Sequence, residues 1–224
     1  MKYLIFDAGP IISMAMNGLL PILEKLKEVA DCEFILTPAV KREVIDKPIK
    51  VKKFKLEALK VQSLLNRGVF KMSQEIVNDN DLNKETKRII KAVNGILRSE
   101  KTNEKIMLIH EGEAACLAFA NLCKSENLIV IDERTTRMIF ESAHNMKQMM
   151  EHKLHCDLVS NFDLLNDVGK FRFVRSAEIV FMAYKKDLIG LGKGREVMDG
   201  LLYALKFRGT TISSKEIDVL KGLI

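Results

Sequence analysis

Short apolar runs alternate with long helix-patterned stretches along this chain, and no hairpin turn joins one run to the next. The runs fall at 2–6, at 32–36, from Val69-Phe70 onward and at 128–131. Strands that never return through a tight turn must be joined by crossovers, which makes a parallel sheet with helices over its faces. The fold class expected is α/β, three layers (α/β/α) around a central parallel sheet. With 224 residues, 47% of them hydrophobic, the chain has enough material for a sizeable core.

The connecting stretches carry their own signals. A helix is expected from about Pro10 to Val29, broken near Asn17-Gly18 or at Pro21. Thr37-Pro38 reads as a helix entry, a hydroxyl cap followed by proline in the first turn; that helix carries Val40, Glu43 and Val44 and ends before Pro48. Val51, Phe54, Ala58, Val61 and Leu65 mark one stripe of the next helix. Asn78-Asp79-Asn80-Asp81 reads as a solvated turn ahead of a helix with Ile89, Ile90, Val93, Ile96 and Leu97 on one side. His110-Glu111-Gly112-Glu113 opens a helix whose Ala114, Ala115, Ala118 and Ala120 allow close approach to the sheet. Another helix begins near Arg134. Beyond about Ser142 the pattern is mainly helical, with helices at 177–188 and 196–206. The glycine-rich link between them, Gly190 to Gly194, lacks phosphate-loop spacing and reads as a helix-to-helix turn. The organisation expected is a core over 1–145 with a helical insertion at about 47–106, and a mainly helical C-terminal extension over 146–224.

The acids are placed where chemistry is expected. Asp7 and Asp132 each follow directly on an apolar run, and ligands of open parallel sheets bind beyond the carboxyl ends of the strands. Glu43 lies one turn into the helix after the second run, and Glu113 opens the helix before the last. Singly, each has an ordinary role: turn former, exposed helix residue, first-turn acid, N-cap. Jointly, they can meet at one end of the sheet. Two carboxylates about 4 Å apart repel by roughly 4 kcal/mol at an effective dielectric of 20, so such a cluster takes up a proton or a cation. Oxygen-only ligands favour Mg²⁺ or Mn²⁺ over zinc, and a cation so held can activate water and offset charge on a phosphate.

Four motifs carry a family resemblance. Leu4-Ile5-Phe6-Asp7-Ala8-Gly9-Pro10-Ile11-Ile12 resembles the opening of PIN domains. Thr37-Pro38-Ala39-Val40-Lys41-Arg42-Glu43-Val44 is similar to the second PIN motif, Gly112-Glu113-Ala114-Ala115-Cys116-Leu117-Ala118 to the third, and Val130-Ile131-Asp132-Glu133-Arg134-Thr135-Thr136-Arg137 to the fourth. The resemblance covers about 1–46 and 107–140, with a weaker likeness over 176–221 to C-terminal helices of stand-alone PIN proteins. It implies a PIN-like sheet of five parallel strands and metal-dependent endoribonuclease activity. Asp7, Glu43, Glu113 and Asp132 would be the metal-holding, catalytic acids, with Mg²⁺ or Mn²⁺ as cofactor and Glu111 and Glu133 as secondary acids. It further implies RNA as partner and, for many members, an antitoxin protein. A homodimer is also compatible with it. The chain departs from the pattern at Gly9, where a hydroxyl or amide residue is usual, at Ile131, where a small hydroxyl residue is common, and at Glu133, which replaces a second Asp. These departures keep open the alternative of a catalytically weak PIN-fold module that binds RNA or protein.

Charge supports a polyanionic partner. The net charge is +6, and six lysines fall between Lys47 and Lys60 against the single acid Glu57. Such a stripe is either a solvated helix face or a phosphate contact. Lys41, Arg42, Lys50, Lys52, Lys53, Arg134 and Arg137 are the candidate RNA-binding residues. His152, His155 and Cys156 would share a face if helical, the weaker zinc option, and Met146, Met149 and Met150 are read as core filler. Four cysteines without CxxC pairing fit reduced thiols. No apolar run reaches membrane-spanning length, and a cytoplasmic location is expected.

Overall fold

The computed structural model describes residues 2–224. β1 (Tyr3–Phe6) runs into α1 (Ala8–Met16), followed by α2 (Leu20–Val29) and β2 (Glu33–Leu36). α3 (Pro38–Lys41) continues into a π-helical turn, Arg42–Asp46, and a 3-10 turn, Pro48–Lys50. Then come α4 (Lys55–Asn66), β3 (Phe70–Met72), α5 (Asp79–Val93), β4 (Leu97–Ser99), α6 (Glu111–Leu122) and β5 (Asn127–Val130). The remainder is α7 (Arg134–Glu141), α8 (Ala143–Leu154), β6 (Leu158–Ser160), β7 (Phe173–Val174), α9 (Ser176–Lys185), α10 (Arg195–Phe207) and α11 (Ser214–Lys221).

The main sheet has five strands in the order β3-β2-β1-β5-β7, all parallel, with helices over both faces as the apolar runs require. Side chains alternate along each strand, and the register pairs Leu4 with Phe34 and Phe34 with Phe70. Phe6, Phe34 and Phe70 therefore share one face and pack with ring centres 5.3 to 6.3 Å apart. α6 packs on β1 and β5; its alanines are buried, and Cys116 Sγ comes within 3.6 Å of the Phe6 carbonyl. The chain leaves β1 to one side for β2 and β3, then returns to its other side for β5 and β7. The order thus reverses between β1 and β5, and at the carboxyl ends of those two strands stand Asp7 and Asp132.

Several local expectations need correcting. The first helix begins at Ala8, because Asp7 itself caps it, and breaks at Asn17–Leu19 around Gly18 with φ +70°. Val51 and Phe54 precede α4 and are exposed; only the later part of that stripe, Ala58 and Val61, is fully buried, together with Leu64. Asn78-Asp79-Asn80-Asp81 is a helix start, not a separating turn: Asn78 Oδ1 accepts from the Asn80 and Asp81 amides. α5 ends at Val93, so Ile96 and Leu97 lie beyond it and Leu97 opens β4. Asn94 makes that exit, its side chain bonding the Leu108 and Ile109 amides at 2.7 and 3.0 Å.

The stretches read as helical insertion and helical extension also supply strands. β3 is one edge of the main sheet and β7 the other, while β4 pairs antiparallel with β6 across 97–160. A line drawn between 145 and 146 falls inside α8. A chain ending at residue 145 would expose the edge of β5, which loses the bonds from Ile129 and Ile131 to Arg172 and Val174. Such a fragment is expected to show no cooperative thermal transition by circular dichroism. A sharp two-state melt of that fragment would show the opposite, a self-sufficient core.

Candidate functional site

Three of the four acids are brought together by backbone geometry. Asp7 leaves β1 with its amide bonded to Val130 O at 3.0 Å, which fixes it beside β5. Its Oδ2 accepts from the Gly9 amide at 3.4 Å as the N-cap of α1. Glu43 sits in the π turn, where Lys47 N bonds Arg42 O; the extra residue per turn re-aims side chains, and such turns recur at functional sites. Glu113 is the third residue of α6 and accepts from the His110 amide at 2.9 Å through Oε2. The link between them is Gly112. A Cβ there would stand 3.1 Å from Glu43 Oε1 and 3.5 Å from Asp7 Oδ1, so both carboxylates close over a backbone that only glycine leaves free.

The electrostatics follow from that crowding. Asp7 is 6% exposed, and its pKa rises from 3.8 to about 7, through burial first and the nearby charge of Glu113 second, with a smaller push from Glu43. Glu43 is raised by burial and then by Glu113, partly countered by Lys47. Burial pushes the Cys116 thiol beneath them well up, so it stays protonated and inert.

Asp132 lines the same pocket of about 610 Å³, but its carboxylate is taken up elsewhere. Oδ1 accepts from the Ser176 amide at 2.8 Å, and Oδ2 accepts from the hydroxyls of Ser176 and Thr210 at 2.8 and 2.9 Å. Its carbonyl accepts from the Thr211 hydroxyl. Burial raises its pKa against these bonds, and the acid whose charge adds to the rise is Glu178. Asp132 thus clamps the start of α9 and the segment after α10 to the end of β5.

The remaining candidates divide. Glu111 faces Arg42 at 2.5 Å, Lys41 pairs with Asp46 at 2.7 Å, and Glu133 caps α7 through the Thr136 amide at 2.6 Å. Glu111 and Glu133 also line the pocket. Arg134 is exposed at the start of α7. Arg137 is half-buried, its Nη2 3.5 Å from Thr211 Oγ1 and its Nε buried without a partner; burial and then Arg175 hold its pKa below the ordinary guanidinium value. Lys50, Lys52 and Lys53 are exposed and away from the pocket lining. Among the described residues lining the pocket, Lys47 and His110 are the ones with basic side chains. Lys47 was legible only as part of the lysine stripe. Ser176 and Thr210 were not foreseen; the serine following Phe171-Arg172-Phe173-Val174 was a faint strand-to-cap signal, and Thr210 gave none.

The helical premise of the zinc option does not hold. α8 ends at Leu154 and His155 takes φ 51°, so His152, His155 and Cys156 share no helix face. Among the described residues, no group of three or more His, Cys, Asp or Glu side chains is arranged to hold a metal ion as it stands. The chain matches no protein-family model, no curated protein and no solved structure.

A carboxyl protonated up to about pH 7 when folded, but only to about 3.9 when unfolded, makes the folded state the better proton binder between those values. Its stability therefore falls as pH climbs from about 4 past 7. Without divalent cations, Asp7→Asn is expected to raise Tm at pH 8 by roughly 5–10 °C. That gain should shrink to nothing near pH 4, as read by scanning calorimetry in chelator.

Proposed function

We propose that this chain is a PIN-like, metal-dependent endoribonuclease, in which Asp7, Glu43 and Glu113 hold one Mg²⁺ or Mn²⁺ ion. The observation that supports the reading most is the convergence of three acids from β1, the π turn and α6 around Gly112, where burial first and the charge of Glu113 second raise Asp7 to about 7. The donors are all oxygens, which suits a hard divalent cation. Glu113 has capacity to spare, since its Oε1 takes no part in the capping bond. Apart from a cation, like charges push these flexible side chains away from a ligating arrangement. A divalent ion there supplies Lewis-acid activation of water and charge neutralisation at a phosphate.

The chain's own groups do the rest. Lys47 stands on the rim, where an ammonium meets a phosphate oxygen. Asp132, fully engaged, acts in this reading as a positioning residue: it holds the end of β5 beside Asp7 and brings Gly209 and Thr211 to the pocket wall. At Gly9, where the family pattern has a larger residue, a Cβ would make only ordinary contact with Asp7 Oδ2, at 3.6 Å.

Purified protein with Mn²⁺ is expected to cut single-stranded RNA, and Asp7→Asn to lose the activity; equal cutting by the variant would expose a contaminant. Mn²⁺ should also raise Tm more at pH 8 than at pH 5, because the cation must displace the proton on Asp7. Gly112→Ala should keep the fold while weakening Mn²⁺ binding about tenfold by displacing Glu43, measured by calorimetric titration.

The second reading, a PIN-fold module that binds RNA or protein without catalysis, is favoured by the engagement of Asp132 and by the spread of the acids as they stand. It predicts RNA binding indifferent to Mn²⁺ and no product.

A further inference from the structure

Beside the acidic pocket lies a second depression of about 220 Å³ between α1 and the chain from Pro48 to Val61. Its walls are apolar, with Val44 and Ala58 at the bottom buried and Ile12 and Phe54 exposed to 45% and 39%. Ile12 lines both depressions, and Lys47 of the acidic pocket is followed in the chain by Pro48 of the groove. The stretch forming the outer wall carries Lys47, Lys50, Lys52 and Lys53, all exposed. Lys53 Nζ stands 5.3 Å from the centre of the Phe54 ring. An apolar slot, an aromatic ring and ammonium groups thus sit within one short segment that borders the acids.

We propose that this groove holds one base of a single-stranded RNA whose backbone crosses the acidic pocket, a step that rests on the nuclease reading above. Three observations favour a nucleotide over a protein segment. The space is below the roughly 300–1,000 Å³ of sites that enclose larger ligands, which suits one planar ring. The rim is cationic, matching the phosphates on either side of that base. The groove is continuous with the pocket through Ile12. Unstacked bases of single-stranded RNA are held by aromatic side chains in this manner. Among the described residues lining the groove, Glu57 is the side chain with strong hydrogen-bonding capacity, and its carboxylate accepts from the base edge: the exocyclic amine of cytosine, adenine or guanine, or the N3–H of uracil.

The test uses the full-length Asp7→Asn chain with fluorescein-labelled hexamers of cytidine, of uridine and of an abasic backbone, with anisotropy read in Mn²⁺. Oligocytidine is expected to bind roughly tenfold tighter than the abasic strand. Adding Phe54→Ala removes that advantage and leaves abasic binding unchanged. Oligouridine is expected to gain over the abasic strand in the same way, since its N3–H also meets Glu57. Unaltered binding in the Phe54→Ala protein overturns the proposal, as does light scattering in which that substitution turns a dimer into a monomer, since a second copy would then fill the groove. Cleavage by the wild-type chain is scored separately. Cutting with Phe54-independent binding sinks the groove alone, whereas Phe54-dependent binding without cutting sinks catalysis and keeps the groove.

Discussion

Carboxylates buried at the end of a parallel sheet are tolerable only when something offsets their charge, and this molecule meets that constraint in two ways on adjacent strands. At the end of β5, Asp132 receives one amide and two hydroxyl donors, so its charge is answered from within the protein. At the end of β1, Asp7 receives backbone bonds from Ala8 and Gly9 but is buried beside two further acids. Those bonds do not offset its burial, and the proton it keeps to about pH 7 is the physical sign of that. The C-terminal segment is held by the first solution, and the proposed chemistry needs the second.

The parts of the fold legible in the sequence were those set by local pattern. The apolar runs at 2–6, 32–36 and 128–131 became β1, β2 and β5, and Thr37 caps α3 through the Val40 amide. Asp7 and Asp132 were placed correctly at strand ends because a strand's end is marked by its own residues. What stayed hidden was long-range. β7 is two residues long, too short for any periodicity, and it joins the sheet because β5 offers it an edge. The hydroxyl clamp on Asp132 joins positions 132, 176 and 210, and serine and threonine occur too widely for such a meeting to be read from composition. Asp132 was therefore expected with the other acids as a free ligand, whereas its carboxylate is already engaged by Ser176 and Thr210.

The same distinction accounts for the basic residues. Lys41 pairs with Asp46 five residues on, across the π turn, and Arg42 at the start of that turn pairs with Glu111 of α6. Those two cations are thereby engaged by acids other than Asp7, Glu43 and Glu113, while Lys47, its amide bonded to Arg42 O, lines the pocket.

An acidic pocket repels the very phosphate a nuclease must hold, so in the proposed reading the cation is a condition of productive substrate binding as well as of reaction. Lys50, Lys52 and Lys53 lie outside the pocket, in the loop between the groove residues Pro48 and Phe54, where in that reading they attract an RNA strand without neutralising the acids beforehand. Placed among the carboxylates, they would pair with them, lower Asp7 toward the ordinary range and remove the charge surplus that calls for a cation. Keeping attraction apart from the proposed metal-holding acids lets both coexist, and in that reading the groove, which shares Ile12 with the pocket, is where a strand drawn in by the one lies to reach the other.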